Sequence, residues 1–331
     1  MIALIATLFF GFAPMFLFAY ILYWLDRYEK EPVLLLGAVF TWGMVVAAGG
    51  AYILNTAFGI TIFVVTGSEG LSDLAMGSIS APIVEETLKG MAVLIVFVVF
   101  YREFDSVLDG IIYAGVAALG FAATENSIYI WRGYESGGWE GLLGLTFIRV
   151  VLVGWQHPFY TSFIGIGLAL ARLNRSLAVR FVAPVIGIGI AMLSHSIHNT
   201  LAAFSSVSDG LTCIIGLLLD WSGVLFMFGL ILWANWIEQR NLTNHLREEL
   251  EMGLISKAQY RTACSATARG FANLSGLLSG RFTATMRFYQ TCAELAHKKE
   301  QLRKLGHRDG TAQLIQKYRA ELAQLAPQAL T

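Results

Sequence analysis

The sequence predicts an all-α protein: a polytopic membrane helix bundle of about seven transmembrane helices, with a C-terminal cytosolic helical tail. Three observations predict it. The 331-residue chain is 56% hydrophobic and only 14% charged, with a mean hydropathy of +0.61. Apolar runs of roughly 20 residues recur along it, the length that spans a hydrocarbon core at 1.5 Å of rise per residue. After Trp236 the composition turns polar and charged and stays so to the end.

The spans follow in order. Residues 2–24 carry no positive charge ahead of them and Arg27 just behind, the pattern of an uncleaved anchor retained in the mature protein. Spans at 33–57, 76–100, 109–131, 141–171, 181–205 and 211–237 come next; the fifth is too long for one crossing, so its first residues are expected to lie obliquely at the interface. The connections at 26–32, 101–109 and 172–180 hold Arg27, Lys30, Arg102, Arg172, Arg175 and Arg180, whereas the alternate ones hold only Arg132. Cytosolic loops collect Lys and Arg, so the N-terminus is expected outside and the C-terminus in the cytosol of a multi-pass plasma-membrane protein.

Two domains are expected: a transmembrane domain over 1–237 and a basic tail over 238–331. The tail holds 14 Lys/Arg against 8 Asp/Glu, leaving 9 basic and 15 acidic residues for the membrane part. Its apolar residues fall near helical spacing, which predicts two or three amphipathic helices, packed together or resting on membrane lipid, with anionic lipid as a natural partner. FANLSGLLSG (271–280) marks an expected break, and the charged stretch AELAHKKEQLRKLGHRDG (293–310) follows it. Cys213, Cys264 and Cys292 show no paired spacing, so neither a disulfide framework nor a CxxC zinc site is indicated. No internal repeat or long heptad run is visible, and no nucleic-acid partner is expected.

What demands a reason is the charge inside the spans. The third carries Glu85, Glu86 and Lys89, the fourth Glu125 and Asn126, the fifth His157, and the sixth His195, His198 and Asn199. A charge at the bilayer centre costs at least about 2.5 kcal/mol on the most lenient scale. A single intramembrane histidine is more often a hydrogen-bonded packing residue than a ligand, and a Glu with a nearby Lys is a common helical pair. The cluster shifts that balance: on straight helices Glu85, Glu125, His157 and His195 all lie about 9 to 15 Å below the outer face.

Glu125, His157 and His195 supply oxygen and nitrogen ligands from three helices, a set that suits a divalent, zinc-like ion with one position left for water. A glutamate outside that set would act as general base, and Asn199, one turn after His195 on the same face, can donate to a developing oxyanion. The chemistry implied is metal-assisted amide hydrolysis within the membrane.

The same residues carry a family resemblance. EETLK (85–89) as EExxK, FAATEN (121–126) as FxxxEN, the separate His157 in HPFYTS, and HSIHN (195–199) as HxxxN, in that order on successive helices, resemble the PrsW family of intramembrane metalloproteases. That family is related to CAAX-processing endopeptidases and bacteriocin-immunity membrane proteases. The resemblance covers roughly residues 75–205. It implies a membrane-embedded endopeptidase that cleaves single-pass, membrane-anchored regulatory proteins such as anti-sigma factors. It also matches Glu85 and Glu86 to the paired glutamates, Glu125 to the second-motif acid, His157 to the isolated histidine, and His195 with Asn199 to the last motif. The expectation is Glu86, beside Glu85, as the water-activating base. Two departures stand out: His198 is additional and could replace or supplement a ligand, and the basic tail lies outside the shared core. A proton- or cation-coupled transporter would also bury Glu and His, but it predicts an inverted repeat that is not seen here. A non-catalytic receptor or scaffold leaves the motif set unexplained.

Overall fold

The computed structural model of the chain describes residues 1–306 and 310–331; residues 307–309, near the end of the charged stretch, lie outside the described residues. Among the described residues there are helices and no strand. The chain divides into two compact units. The first comprises Met1–Trp24, Glu31–Arg172 and Ser176–Leu230; the second comprises Leu25–Lys30, Leu173–Arg175 and Ile231–Thr331.

The first unit is an all-α bundle. Helix α1 is Ile2–Leu25, and α2 is Val33–Thr66 with a π-helical turn at Trp42–Ala47. Helix α3 (Glu69–Ala75) runs through a second π-helical turn, Met76–Ser80, into α4 (Ala81–Val99). Helix α5 is Val107–Thr146, α6 Gln156–Leu173, α7 Leu177–Ala203, and α8 Leu211–His245 continues into the second unit. Five stretches are long and apolar enough to cross a membrane: Ile2–Leu25, Val33–Thr66, Val107–Leu173, Leu177–Ala203 and Leu211–Glu251. The α4 segment is not among them because it carries Glu85, Glu86 and Lys89. Multi-pass membrane character and an all-α bundle are therefore properties of the chain.

The 67-residue stretch Val107–Leu173 is not one rod. Gly137 and Gly138 leave helical geometry, Gly138 with a φ of 59° that glycine adopts without a side-chain clash. The chain turns back there, because a Cβ on Gly133 would lie 2.7 Å from the carbonyl oxygen of Gly141 and one on Gly110 would lie 2.4 Å from that of Gly165. The result is an antiparallel hairpin, which accounts for the separate sequence spans 109–131 and 141–171.

The first arm of α5 is the hub of the bundle. Leu108 through Ala123 are all buried, and Ser106 starts the helix with a capping box: its Oγ accepts from the Asp109 N–H at 3.1 Å while Asp109 Oδ2 accepts from the Ser106 N–H at 2.7 Å. Lipid tails are as apolar as leucine, so membrane helices associate through close packing of small residues rather than through hydrophobic burial. The run GIIYAGVAALGFAA provides that surface. Gly43 of α2 abuts the Ala117 carbonyl and Gly120 abuts the Phe40 carbonyl, with no room at either place for a Cβ.

The second unit has an apolar core of its own. After α8 come α9 (Arg247–Glu251), α10 (Lys257–Ala263), α11 (Ala266–Leu278), α12 (Phe282–Leu305) and α13 (Thr311–Leu325). Their core gathers Leu242, Leu246, Ile255, Phe288, Tyr289, Cys292, Ile315 and Leu322 around Tyr28. Two expectations are corrected. The helices are more numerous than two or three, and 271–278 is helical, the reversal falling at Gly280, whose φ is 73°. Gly276 does not break α11 because it packs against Phe282 and Thr285, where a side chain would crowd.

Candidate active site

Four helices of the first unit bring the intramembrane polar residues around one cavity of about 470 Å³, whose lining includes Glu85, Glu125, His157, His195, His198 and Asn199. Each side chain arrives on a helical face set by spacing. In α4, Glu86 and Lys89 lie three residues apart on the buried side, both fully shielded.

Glu86 does not line the cavity; it stands behind it, with both oxygens engaged. Lys89 Nζ donates to Oε1 at 2.5 Å, His195 Nδ1 donates to the same oxygen at 2.9 Å, and Thr161 Oγ1 donates to Oε2 at 2.8 Å. Lys89 Nζ also lies 3.3 Å from His157 Nδ1 and 4.6 Å from the centre of the Phe121 ring. A buried carboxylate needs this degree of compensation, because two charges taken out of water recover their hydration only with good pairing and further hydrogen bonds.

Glu85 is the opposite case. It is 5% exposed, Asn55 Nδ2 donates weakly to Oε1 at 3.4 Å, and the buried Oε2 has no hydrogen-bond partner. That oxygen lies 3.8 Å from His195 Nε2. Across the cavity His157 Nε2 donates to Glu125 Oε2 at 2.9 Å, and Arg149 pairs with the same oxygen while its Nε donates to Asn126 Oδ1 at 2.8 Å. The His157 and His195 rings meet edge to face at 5.3 Å. One ligand atom from each of Glu85, His157 and His195 lies within 4.8 Å of the others. The partnerless Glu85 oxygen and this mixed oxygen and nitrogen donor set fit a divalent cation.

A third polar group backs the cavity wall. Asp220 of α8, 5% exposed, accepts from Tyr160 OH at 2.7 Å, from Gln156 Nε2 at 2.6 Å and from His198 Nδ1 at 2.7 Å. The Tyr160 ring in turn stacks on His195 at 5.2 Å. Asn199 Nδ2 donates to the Gly77 carbonyl at 2.8 Å, in the π-helical turn that leads into α4.

Comparison with known proteins gives this arrangement a family. The model of the PrsW family of intramembrane metalloproteases matches residues 31–234, which contain the whole cavity lining. The chain belongs to the PrsW family. A Protease PrsW of Clostridioides difficile (strain 630) is 36% identical over 107 residues, 32% of this chain and 42% of the relative. The Protease PrsW proteins of Geobacillus kaustophilus (strain HTA426) and Oceanobacillus iheyensis are each 32% identical over 122 and 124 residues, 50% of each relative. The chain thus spans half or less of the curated relatives it matches. No solved structure matches it.

Within this PrsW-family chain the six expected site residues fall in one region, with a division of position that spacing did not announce. Glu85, Glu125, His157, His195 and Asn199 line the cavity, and Glu86 is sealed behind it. Glu85, not Glu125, shares with both histidines a grouping compact enough for one ion. His198 turns to Asp220 and away from that group. Sequence reasoning passed over Arg149, Thr161 and Asp220. Arg149 and Asp220 had a usable sign: each is the only charged residue in its expected span before the flanking loop. Thr161 had none, since a threonine in an apolar helix usually bonds back to its own backbone.

Proposed function

We propose that the chain is an intramembrane metalloprotease that hydrolyses a peptide bond of single-pass, membrane-anchored regulatory proteins, of which anti-sigma factors are the type. The observation that carries this reading is the partnerless Glu85 carboxylate oxygen, beside His157 and His195 in a cavity of the membrane bundle. Glu85, His157 and His195 would hold the ion, His195 through Nε2 and His157 through a nitrogen released from its present partner, Lys89 or Glu125, with zinc the best match to such ligands. When bound, it acidifies water and polarises the scissile carbonyl.

The remaining steps belong to the chain's own side chains. Glu125, paired with Arg149 and hydrogen-bonded to His157, takes the proton of the attacking water and returns it to the leaving amine. Asn199 has a second N–H beyond the one given to Gly77, and that N–H donates to the oxyanion. Glu86, Lys89 and Thr161 hold His195 in place from behind. This division moves the ion from the expected Glu125 to Glu85 and the base from Glu86 to Glu125, because Glu86 is sealed from the cavity with both oxygens engaged.

We further assign seven crossings, counting α3–α4 and both arms of the Val107–Leu173 hairpin, with the N-terminus outside. Residues 1–237 form the protease domain and 238–331 a cytosolic tail in contact with membrane lipid. The test is cleavage by purified full-length protein of a panel of single-span membrane proteins in detergent, with product termini read by mass spectrometry. Cleavage is expected and is lost in Glu125→Gln; equal cleavage by that variant overturns the reading.

A further inference from the structure

The second unit keeps one helix face bare. Helix α11 buries Arg269, Ala272 and Gly276 and exposes Phe271, Leu274, Leu277 and Leu278, the last at 84%. The turn at Gly280 brings Phe282 and Met286 of α12 to the surface as well, with Arg281 exposed between the two helices. Elsewhere in this unit large apolar side chains are mostly buried, and the outward face of α13 carries Gln313, Gln316 and Lys317. Six exposed apolar residues at one helical corner have to meet something other than water.

Where that corner sits within the unit says what it meets. The lower part of α8 exposes Trp233 and Trp236, and the Arg240 guanidinium lies 4.3 Å from the Trp236 ring centre. Tryptophans followed by a cation at the end of an apolar span mark the boundary between hydrocarbon and headgroups. Gln239, between Trp236 and Arg240 in sequence, donates to the Cys264 carbonyl at 3.0 Å, two residues before α11 begins. A second tie is independent of the first: the Arg269 guanidinium stacks 5.6 Å from the ring of Tyr28, three residues past the end of α1. Both ties join α11 to residues that follow or end apolar helices within the same unit.

We propose that α11 and the first turn of α12 form a lipid-docking surface. Phe271, Leu274, Leu277, Leu278, Phe282 and Met286 enter the acyl boundary of the leaflet at which α8 emerges, and Arg281 meets anionic headgroups. An amphipathic helix lying in the interface buries its apolar face about 5 to 10 Å deep, and at about 20 Å this helix is long enough to do so without crossing. The occupant is lipid and not a protein partner, because the exposed Trp236 with its Arg240 cation, the pairing that marks a bilayer edge, lies within one turn of the Gln239 tie to α11. The surface depends on the chain's membrane insertion and not on its proteolytic activity.

The test uses the full chain in vesicles, with the photo-crosslinker benzoylphenylalanine in place of Leu274 or Leu278, and in place of Lys317 as the exposed polar control. These positions are all on the surface, so the fold tolerates the exchange. Mass spectrometry after illumination is expected to find phosphatidylcholine adducts at 274 and 278 and background at 317. Adding phosphatidylglycerol raises the adduct, and Arg281→Gln removes that rise. Crosslinks from 274 and 278 to a second copy of the chain, or no lipid adduct at either, overturn the proposal; adducts indifferent to phosphatidylglycerol remove Arg281 from the surface. Because no step reads proteolysis, failure here is distinguishable from failure of the protease reading.

Discussion

Both units bury charge, such as Glu86 with Lys89 in the first and Glu249 with Lys299 and Arg319 in the second, but they place their apolar side chains in opposite ways. In the first, Glu85, Glu86, Lys89 and Asp220 are inside while Phe181, Val185 and Leu218 face outward. In the second, Phe288, Tyr289 and Leu322 are inside while Arg287, Arg303 and Lys304 sit at the surface on glutamate partners. The difference teaches what the surroundings decide. Lipid gives apolar side chains no reason to leave the surface, so close packing and polar networks must hold the first unit together. The apolar core of the second is of the kind that the hydrophobic effect assembles, with ion pairs at its surface. The α11 corner departs from the second unit's pattern, as a face turned to lipid should.

The comparison can be broken most decisively at the cavity. Glu125→Gln should lower cleavage on the order of 10²- to 10⁴-fold, the usual contribution of proton transfer, while purified protein keeps its metal. Glu85→Gln should lose metal and cleavage together. Equal metal content in the two variants would show that Glu85 is not a ligand.

Stability offers the next largest effect. Lys89→Met leaves the buried Glu86 without its cation, with only His195 and Thr161 as partners, and should cost about 3 to 5 kcal/mol, seen as an early thermal transition in detergent. Pairing it with Glu86→Gln should restore much of the loss. If the double variant melts no later than the single one, the pair is not the element that matters.

Asp220 sharpens the picture of the first unit. It touches the site only through Tyr160, Gln156 and His198, so Asp220→Ala should reduce turnover about 10- to 100-fold with little change in KM, as for groups that orient others. Asp220→Asn, which keeps the shape and one acceptor, should recover part of it. A matching rise in KM would mean that the wall binds substrate directly.

The smallest effect belongs to the second unit. Arg303, with His245 and Lys304, holds the Glu300 carboxyl down to about 2 from its usual 4.5. A depressed carboxylate stabilises the fold above its unfolded pKa and loses that contribution as pH falls. Glu300→Gln should therefore be slightly less stable than the parent near neutrality, with the gap closing between pH 4.5 and 2. Its partners Arg303 and Lys304 are exposed to solvent, so the difference should stay under about 1 kcal/mol and shrink in high salt. A larger gap would place Glu300 among the buried networks of the first unit.

Much of this was legible in advance because of where each property resides. Apolar length, the Lys/Arg asymmetry of the loops and the order of the EExxK, FxxxEN and HxxxN motifs are one-dimensional, since a bilayer imposes its thickness on every span separately. The helical nature of both units, the membrane setting and the convergence of Glu85, Glu125, His157 and His195 could therefore be read from residue types and spacing. Which of two adjacent glutamates faces the cavity could not. Neighbours on a helix point about 100° apart, and only the placement of Thr161, Lys89 and His195 decides that Glu86 is sealed and Glu85 left open. The same holds for Asp220, whose three partners come from two other helices, and for the reversal at Gly137 and Gly138, where two residues leave helical geometry. Spacing along the chain carries the periodic part of the structure; partner choice between helices is a property of packing, and it exists only once the bundle has closed.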